Sequence, residues 1–193
     1  MSKPTLQEAM KHRILILDGA MGTMIQQANL SAADFGGEEL EGCNEMLVLT
    51  RPDVIRGIHE AYLEAGADII ETNTFGATSV VLAEYGIADR AREINLAAAR
   101  LAVEAAATFT TPDKPRFVAG AMGPTTKTLS VTGGVTFDEL AESYRVQAKA
   151  LIEGGVDALL IETCQDALNV KAAGIGVHRA FEELGRKLPV MIS

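Results

Sequence analysis

Short segments of this chain are written twice, and the copies fall at similar places in an alternation of apolar runs with longer amphipathic stretches. Gly19-Ala20-Met21-Gly22 recurs as Gly120-Ala121-Met122-Gly123, and Gly66-Ala67-Asp68 with Glu71-Thr72 recurs as Gly155-Val156-Asp157 with Glu162-Thr163. Short apolar runs alternating with amphipathic helices are the mark of a parallel sheet with crossover helices. Repetition of whole βαβα units suits a (β/α)8 barrel better than a doubly wound sheet, because a barrel puts equivalent strands in equivalent surroundings.

The local signals fill in this frame. A first strand is expected at Ile14 to Leu17, followed by a Gly-rich, polar connection through Asp34, Phe35, Gly36 and Gly37. Pro52 suits the first turn of a helix whose buried face carries Val54, Ile55, Ile58, Ala61, Tyr62 and Ala65, with Gly66 as its stop. A second strand ends at Glu71, a second helix runs from Asp89 to Ala107, and Phe117 to Ala119 is a third strand. Thr136 and Glu139 have capping-box spacing ahead of a third helix that Gly154-Gly155 ends. Ala158 to Ile161 is a fourth strand, a fourth helix carries Leu168, Ile175, Phe181 and Leu184, and Val190 to Ile192 is a fifth strand. The expected fold is therefore α/β: the N-terminal portion of a (β/α)8 TIM barrel, with about five strands and four helices. Residues 1–193 would form one partial domain lacking the strands that remove a barrel's edges.

Composition narrows the function. A net charge of −9 without a dense basic block argues against a nucleic-acid or anionic-membrane surface. No apolar stretch approaches the roughly 20 residues of a membrane span, and the polar lead to Arg13 lacks a signal peptide's apolar core. A cytoplasmic protein acting on small molecules is expected. The two cysteines, Cys43 and Cys164, read as reduced thiols.

Three carboxylates stand where apolar runs stop: Asp18, Glu71 and Glu162. An ionised carboxylate leaving water needs a partner, so three at one barrel rim would make a cation-binding mouth. Asn73 falls at the same end of the strands. The small residues of Asp18-Gly19-Ala20-Met21-Gly22-Thr23 would let backbone N–H groups approach an anion, although the loop lacks nucleotide-binding spacing. Carboxylates facing bare amides suit a zwitterion, of which an amino acid is the simplest. Taken singly, Asp18 is equally compatible with capping a turn, and Glu162 with a structural ion pair. Met21 and Met122 read as packing residues. His12, His59 and His178 show no ligand spacing, and Lys127 and Arg145 read as solvated charges.

The stretches Leu17 to Thr23, Ala65 to Phe75, Gly120 to Thr125 and Ile161 to Thr163 closely resemble the homocysteine-binding domain of the cobalamin-dependent methionine synthases. Asn44 to Pro52 and Leu188 to Ser193 are similar to the same family more than to the betaine- and S-methylmethionine-dependent homocysteine methyltransferases. The resemblance implies a barrel that holds L-homocysteine, with its thiolate on zinc, for methylcobalamin carried on a separate module and recharged by 5-methyltetrahydrofolate. It further implies that Asp18 and Glu162 receive the substrate ammonium, that the Gly19 to Thr23 backbone meets its carboxylate, and that Asn73 lines the pocket. The family's zinc cysteines lie in Gly-x-Asn-Cys and Gly-Gly-Cys-Cys elements, neither of which occurs here, so no metal ligand carries over. The chain alone is accordingly expected not to transfer a methyl group. Two alternatives stand beside this reading: a homocysteine methyltransferase with another donor, and a non-catalytic half-barrel that binds an amino acid.

Overall fold

A computed structural model describes residues 3–127, 129 and 133–193. Four parallel strands, β1 (Ile69–Glu71), β2 (Phe117–Met122), β3 (Ala158–Ile161) and β4 (Val190–Ile192), form one sheet in the order β1-β2-β3-β4. Three long helices make the crossovers on its outer face: α7 (Ala91–Phe109), α8 (Phe137–Gly154) and α9 (Ala167–Leu184). A fourth, α5 (Pro52–Ala65), leads into β1. Five further short helices are found among the described residues, namely α1 (Leu6–Met10), α2 (Met21–Gln27), α3 (Ala32–Phe35), α4 (Leu47–Thr50) and α6 (Ser79–Leu82).

The expected first strand is the main correction. Ile14 to Leu17 joins the sheet only through an isolated parallel bridge from Leu17 to Ile69, although the N–H groups of Asp68 and Ile69 both bond the Ile16 carbonyl. With one neighbour, the segment has a ladder on one side only, and Ile14 and Ile16 stay 86% and 57% exposed. The opposite edge repeats the condition: Val190 and Ile192 of β4 are exposed while Met191 between them packs inward. Both edges thus leave apolar side chains bare on the face that helices cover elsewhere in the sheet.

Strand parity separates two apolar layers. Ile69, Phe117, Ala119, Ala158 and Leu160 line the inner wall, and Leu6 of α1 packs against them. Ile70, Val118, Met122, Leu159 and Ile161 face the helices. At the crossing of α8 and α9, Gly176 lies so near the α8 backbone that a Cβ there would be 2.5 Å from the Ala141 carbonyl oxygen.

The repeats prove unequal in structure. Gly66 and Gly155 both end helices in the left-handed conformation. Asp68 and Asp157 both accept from a backbone N–H of the preceding segment, Ile16 at 2.9 Å and Val118 at 2.8 Å, and both pair with a cation, Arg13 and Lys3. Strand pairing, however, sets Leu17 against Ile69 and Ala119 against Ala158, so the Gly-Ala-Met-Gly copies are one residue out of register. The first opens α2, whereas the second lies mostly inside β2.

Candidate functional site

β1 delivers Glu71 and β3 delivers Glu162 at the carboxyl ends of their strands. Asp157 precedes Glu162 by two more residues than Asp68 precedes Glu71, and two residues keep the parity, so both side chains reach the same inner mouth. Asp18 is tied to β1 twice: its N–H donates to the Ile69 carbonyl at 2.9 Å, and its carboxylate accepts from the Glu71 N–H at 3.1 Å. The Glu162 N–H donates to the Met122 carbonyl at 3.1 Å, which fixes that carboxylate over β2. The three carboxylates share one cavity of about 230 Å³.

Among the described residues no cationic side chain lines this cavity. Burial pushes the Asp18 carboxyl up to about 8, helped by the charges of Glu71 and Glu162. Burial and the Glu162 charge push Glu71 up to about 7, and burial raises Glu162 as well. Among the described residues only Asp18 draws a hydrogen bond that favours its ionised form; the carboxyls of Glu71 and Glu162 have none.

Gly19, Ala20, Met21 and Gly22 form the opposite lip of the cavity. α2 starts at Met21 with no side chain capping it, which leaves its first-turn N–H groups without a side-chain acceptor. Thr23 lies exposed on α2, outside the lining, because the helix turns its side chain away. Asn73 is buried in the wall, where its amide donates to the Asn44 carbonyl at 2.8 Å.

Sequence reasoning missed three lining residues: Thr72, Phe75 and Ala121. Thr72 has a definable proton arrangement. Its hydroxyl accepts from the Ala121 N–H, and the Thr74 hydroxyl donates to the Ala121 carbonyl, so the Thr72 hydrogen must point to Thr74 Oγ1, 2.6 Å away. That network stitches the loop after β1 to β2. Phe75 lies over Gly123 so closely that any larger residue there would meet its ring. Glu45 was missed as well: half-buried, with its carboxyl raised by desolvation, it accepts from the Gly76 N–H at 2.8 Å and holds the same loop. The sequence offered only weak signals for these residues, since each acts through a partner tens of residues away.

Thr163 follows Glu162 at φ 57°, a left-handed conformation in which β-branched residues are rare. The turn directs the Cys164 N–H to the Ser193 carbonyl at 3.1 Å, continuing the β3–β4 pairing past Glu162. Lys127 pairs with Glu84, and Arg145 with Glu142 and Glu183, so neither neutralises the mouth. His59 is buried, and the apolar surroundings lower it to about 4. Cys43 is buried beside Glu45, and Cys164 lies outside the cavity lining. Among the described residues no group of three or more His, Cys, Asp or Glu side chains is arranged to hold a metal ion, and no helix is long and apolar enough to cross a membrane.

The homocysteine S-methyltransferase family profile matches residues 15–193. Over 187 residues the chain is 46% identical to the methionine synthase of Mycobacterium leprae (strain TN), covering 97% of this chain and 15% of that protein. Its fold is similar to that of the homocysteine methyltransferase MmuM from Escherichia coli. The oxidized form gives a TM-score of 0.76 at 23% identity and the metallated form 0.76 at 21%; each alignment covers 97% of this chain, and 64% and 65% of MmuM respectively. The chain therefore spans less than two thirds of these relatives, and its open sheet is part of a (β/α)8 barrel. By both profile and identity, the chain belongs to the homocysteine S-methyltransferase family.

Proposed function

We propose that this chain is the substrate-holding part of a methyltransferase that makes methionine from L-homocysteine. The observation that carries the reading is the cavity at the strand ends, with three carboxylates, no cationic side chain among the described residues and a facing lip of uncapped backbone amides. Asp18 and Glu162 take the substrate's ammonium group, the Gly19 to Gly22 backbone meets its carboxylate, and Asn73 and Glu71 complete the wall. Phe75 and Ala121 supply an apolar flank for the short side chain, whose sulfur points away from the carboxylates toward the methyl donor. The likeness to a methionine synthase favours methylcobalamin, recharged by 5-methyltetrahydrofolate on further modules of a longer protein, over betaine or S-methylmethionine.

Zinc in such an enzyme supplies the thiolate, a nucleophile that the free thiol mostly is not at neutral pH. The residues described here do not fit a zinc site, because Cys43 and Cys164 stand apart from the cavity lining and from each other. Elemental analysis of the purified chain is expected to give near-zero zinc with and without L-homocysteine; one zinc per chain would overturn this assignment.

Calorimetric titration with L-homocysteine tests the substrate site. Replacing Glu162→Gln removes one charge-assisted hydrogen bond and is expected to weaken binding roughly tenfold or more. Unchanged affinity would remove Glu162 from the site. The reading of a free-standing half-barrel predicts self-association through the open sheet edges, which sedimentation would detect.

A further inference from the structure

We infer that the empty site holds a proton shared among Asp18, Glu71 and Glu162, and that an incoming ammonium group expels it, so that amino-acid binding is coupled to proton release. The inference rests on the amino-acid reading above and adds a regulation of the same site by pH.

The geometry supplies the reason. The groups facing the mouth from each surrounding element are Asp18 before α2, Glu71 at the end of β1 and Glu162 at the end of β3. Among the described residues β2 contributes only Ala121, the first turn of α2 only Met21 and Gly22, and the loop after β1 only Thr72, Asn73 and Phe75. Among the described residues, the nearby titratable groups outside the lining are the Cys164 thiol, Asp166 and Tyr144, which share a smaller cavity with Glu162, and the Glu45 carboxyl; the thiol and Glu45 are raised in the direction that keeps them neutral. Three negative charges thus meet in a partly desolvated space with one hydrogen bond, from the Glu71 N–H, to stabilise any of them. Like charges in such a place do not all ionise together, and the proton that remains belongs to the group of carboxylates rather than to one residue. The raised proton affinities of all three agree with this.

A ligand ammonium group reverses the balance. It enters carrying its own proton, supplies the missing positive charge and makes the fully ionised cluster the favoured state, so the shared proton leaves to solvent. Proton and cation then compete for the same space. Linkage requires affinity to rise with pH wherever binding releases protons, by about tenfold per pH unit for each proton released. That slope is expected from about pH 6 to about pH 8, flattening once the last carboxyl of the empty cluster ionises by itself.

The test uses L-2-aminobutyrate beside L-homocysteine, because the former lacks the thiol whose own ionisation would confuse the count. Calorimetry near pH 7 in two buffers of different ionisation enthalpy yields the number of protons exchanged, with an expected value of roughly one released per ligand for both. Glu71→Gln leaves one carboxylate fewer to be neutralised, and should reduce both the release and the pH slope. Infrared spectra of the unaltered empty chain at pH 7 should contain a protonated-carboxyl band that disappears on adding L-2-aminobutyrate, a reading that needs no variant to fold. Binding with no proton exchange and no such band would overturn the shared proton and leave the amino-acid site standing. Failure of both ligands to bind at any pH would overturn the site and the coupling together.

Discussion

Gly174 and Gly176 are two residues apart in α9, yet alanine should move stability in opposite directions at the two positions. Each replacement relieves the backbone entropy cost of a helical glycine, a gain of about 0.5–1 kcal/mol. At Gly174 the new methyl group meets nothing within 4 Å, so the gain should stand undiminished. At Gly176 it would be 2.5 Å from the Ala141 carbonyl oxygen, 2.7 Å from the Arg145 nitrogen and 2.8 Å from Tyr144 Cβ. The first two are backbone atoms of α8, and no side-chain rotation removes them. The two helices must separate, which loosens the packing of buried Tyr144, Ala172, Ala173 and Val177. Overpacking of this kind costs about 1–3 kcal/mol, and more where backbone must move. After the helical gain is subtracted, Gly176→Ala should destabilise by about 1–2 kcal/mol. The two variants should then differ by roughly 1.5–3 kcal/mol, or about 3–12 °C in melting temperature for a chain of this size. Urea unfolding of the two variants beside the parent, at constant slope, measures the difference directly. If Gly176→Ala were as stable as Gly174→Ala, the claim that α8 and α9 meet backbone to backbone would be refuted.

The buried hydroxyl of Tyr144 has one proton to share between the Gly123 carbonyl at 2.8 Å and Asn169 Oδ1 at 2.5 Å, so Tyr144→Phe removes the donor that serves both and should cost about 1–3 kcal/mol in chemical denaturation; a neutral change would count against that network. The Thr136 hydroxyl caps α8 in a reciprocal pair with Glu139, and Thr136→Ala should lose about 1 kcal/mol by the same assay, against no loss if the cap contributes nothing. Because folding raises the Asp18 and Glu71 carboxyls, the folded chain retains protons that the unfolded chain has already released, and stability of the empty chain should fall as pH rises. His59, lowered on folding, acts oppositely below its ordinary value of 6.5, so the clean window is pH 6.5 to 8. There the loss should be roughly 1–2 kcal/mol and should shrink in Asp18→Asn to the part that Glu71 carries, with a flat or rising profile in the parent chain contradicting it.

What could be read from the sequence was whatever rests on local chemistry. Pro52 in the first turn of α5, Gly66 and Gly155 as left-handed stops, and the Thr136–Glu139 box are local signals, and each is where its neighbours imply. Carboxylates at the ends of apolar runs were legible as positions, although Asp18 and Glu162 taken singly fitted a turn cap or an ion pair equally well, and only the fold brings them to one cavity. The segment from Met21 to Thr50 was not legible. Phe35, Met46, Leu47 and Val48 are buried by contacts with α5 and α7 rather than by a periodic pattern of their own, so α2, α3 and α4 left no helical signature. Apolar periodicity also overstated burial: Leu168 and Ile175 of α9 are 40% and 42% exposed. Periodicity says which side chains share a face, and only neighbouring elements decide whether that face is covered. The displaced Gly-Ala-Met-Gly copies teach the same lesson for strands, because composition repeats there while register does not.

The strand order β1-β2-β3-β4 follows the order of the chain itself. Each strand therefore finds its partner waiting in the segment made just before it, with one crossover helix as the largest loop to close. Such a sheet can be assembled in the direction of synthesis, every completed βα unit offering an edge that templates the next. At the β4 end, where Ile192 is still 64% exposed, the same edge is the surface on which a further strand would register.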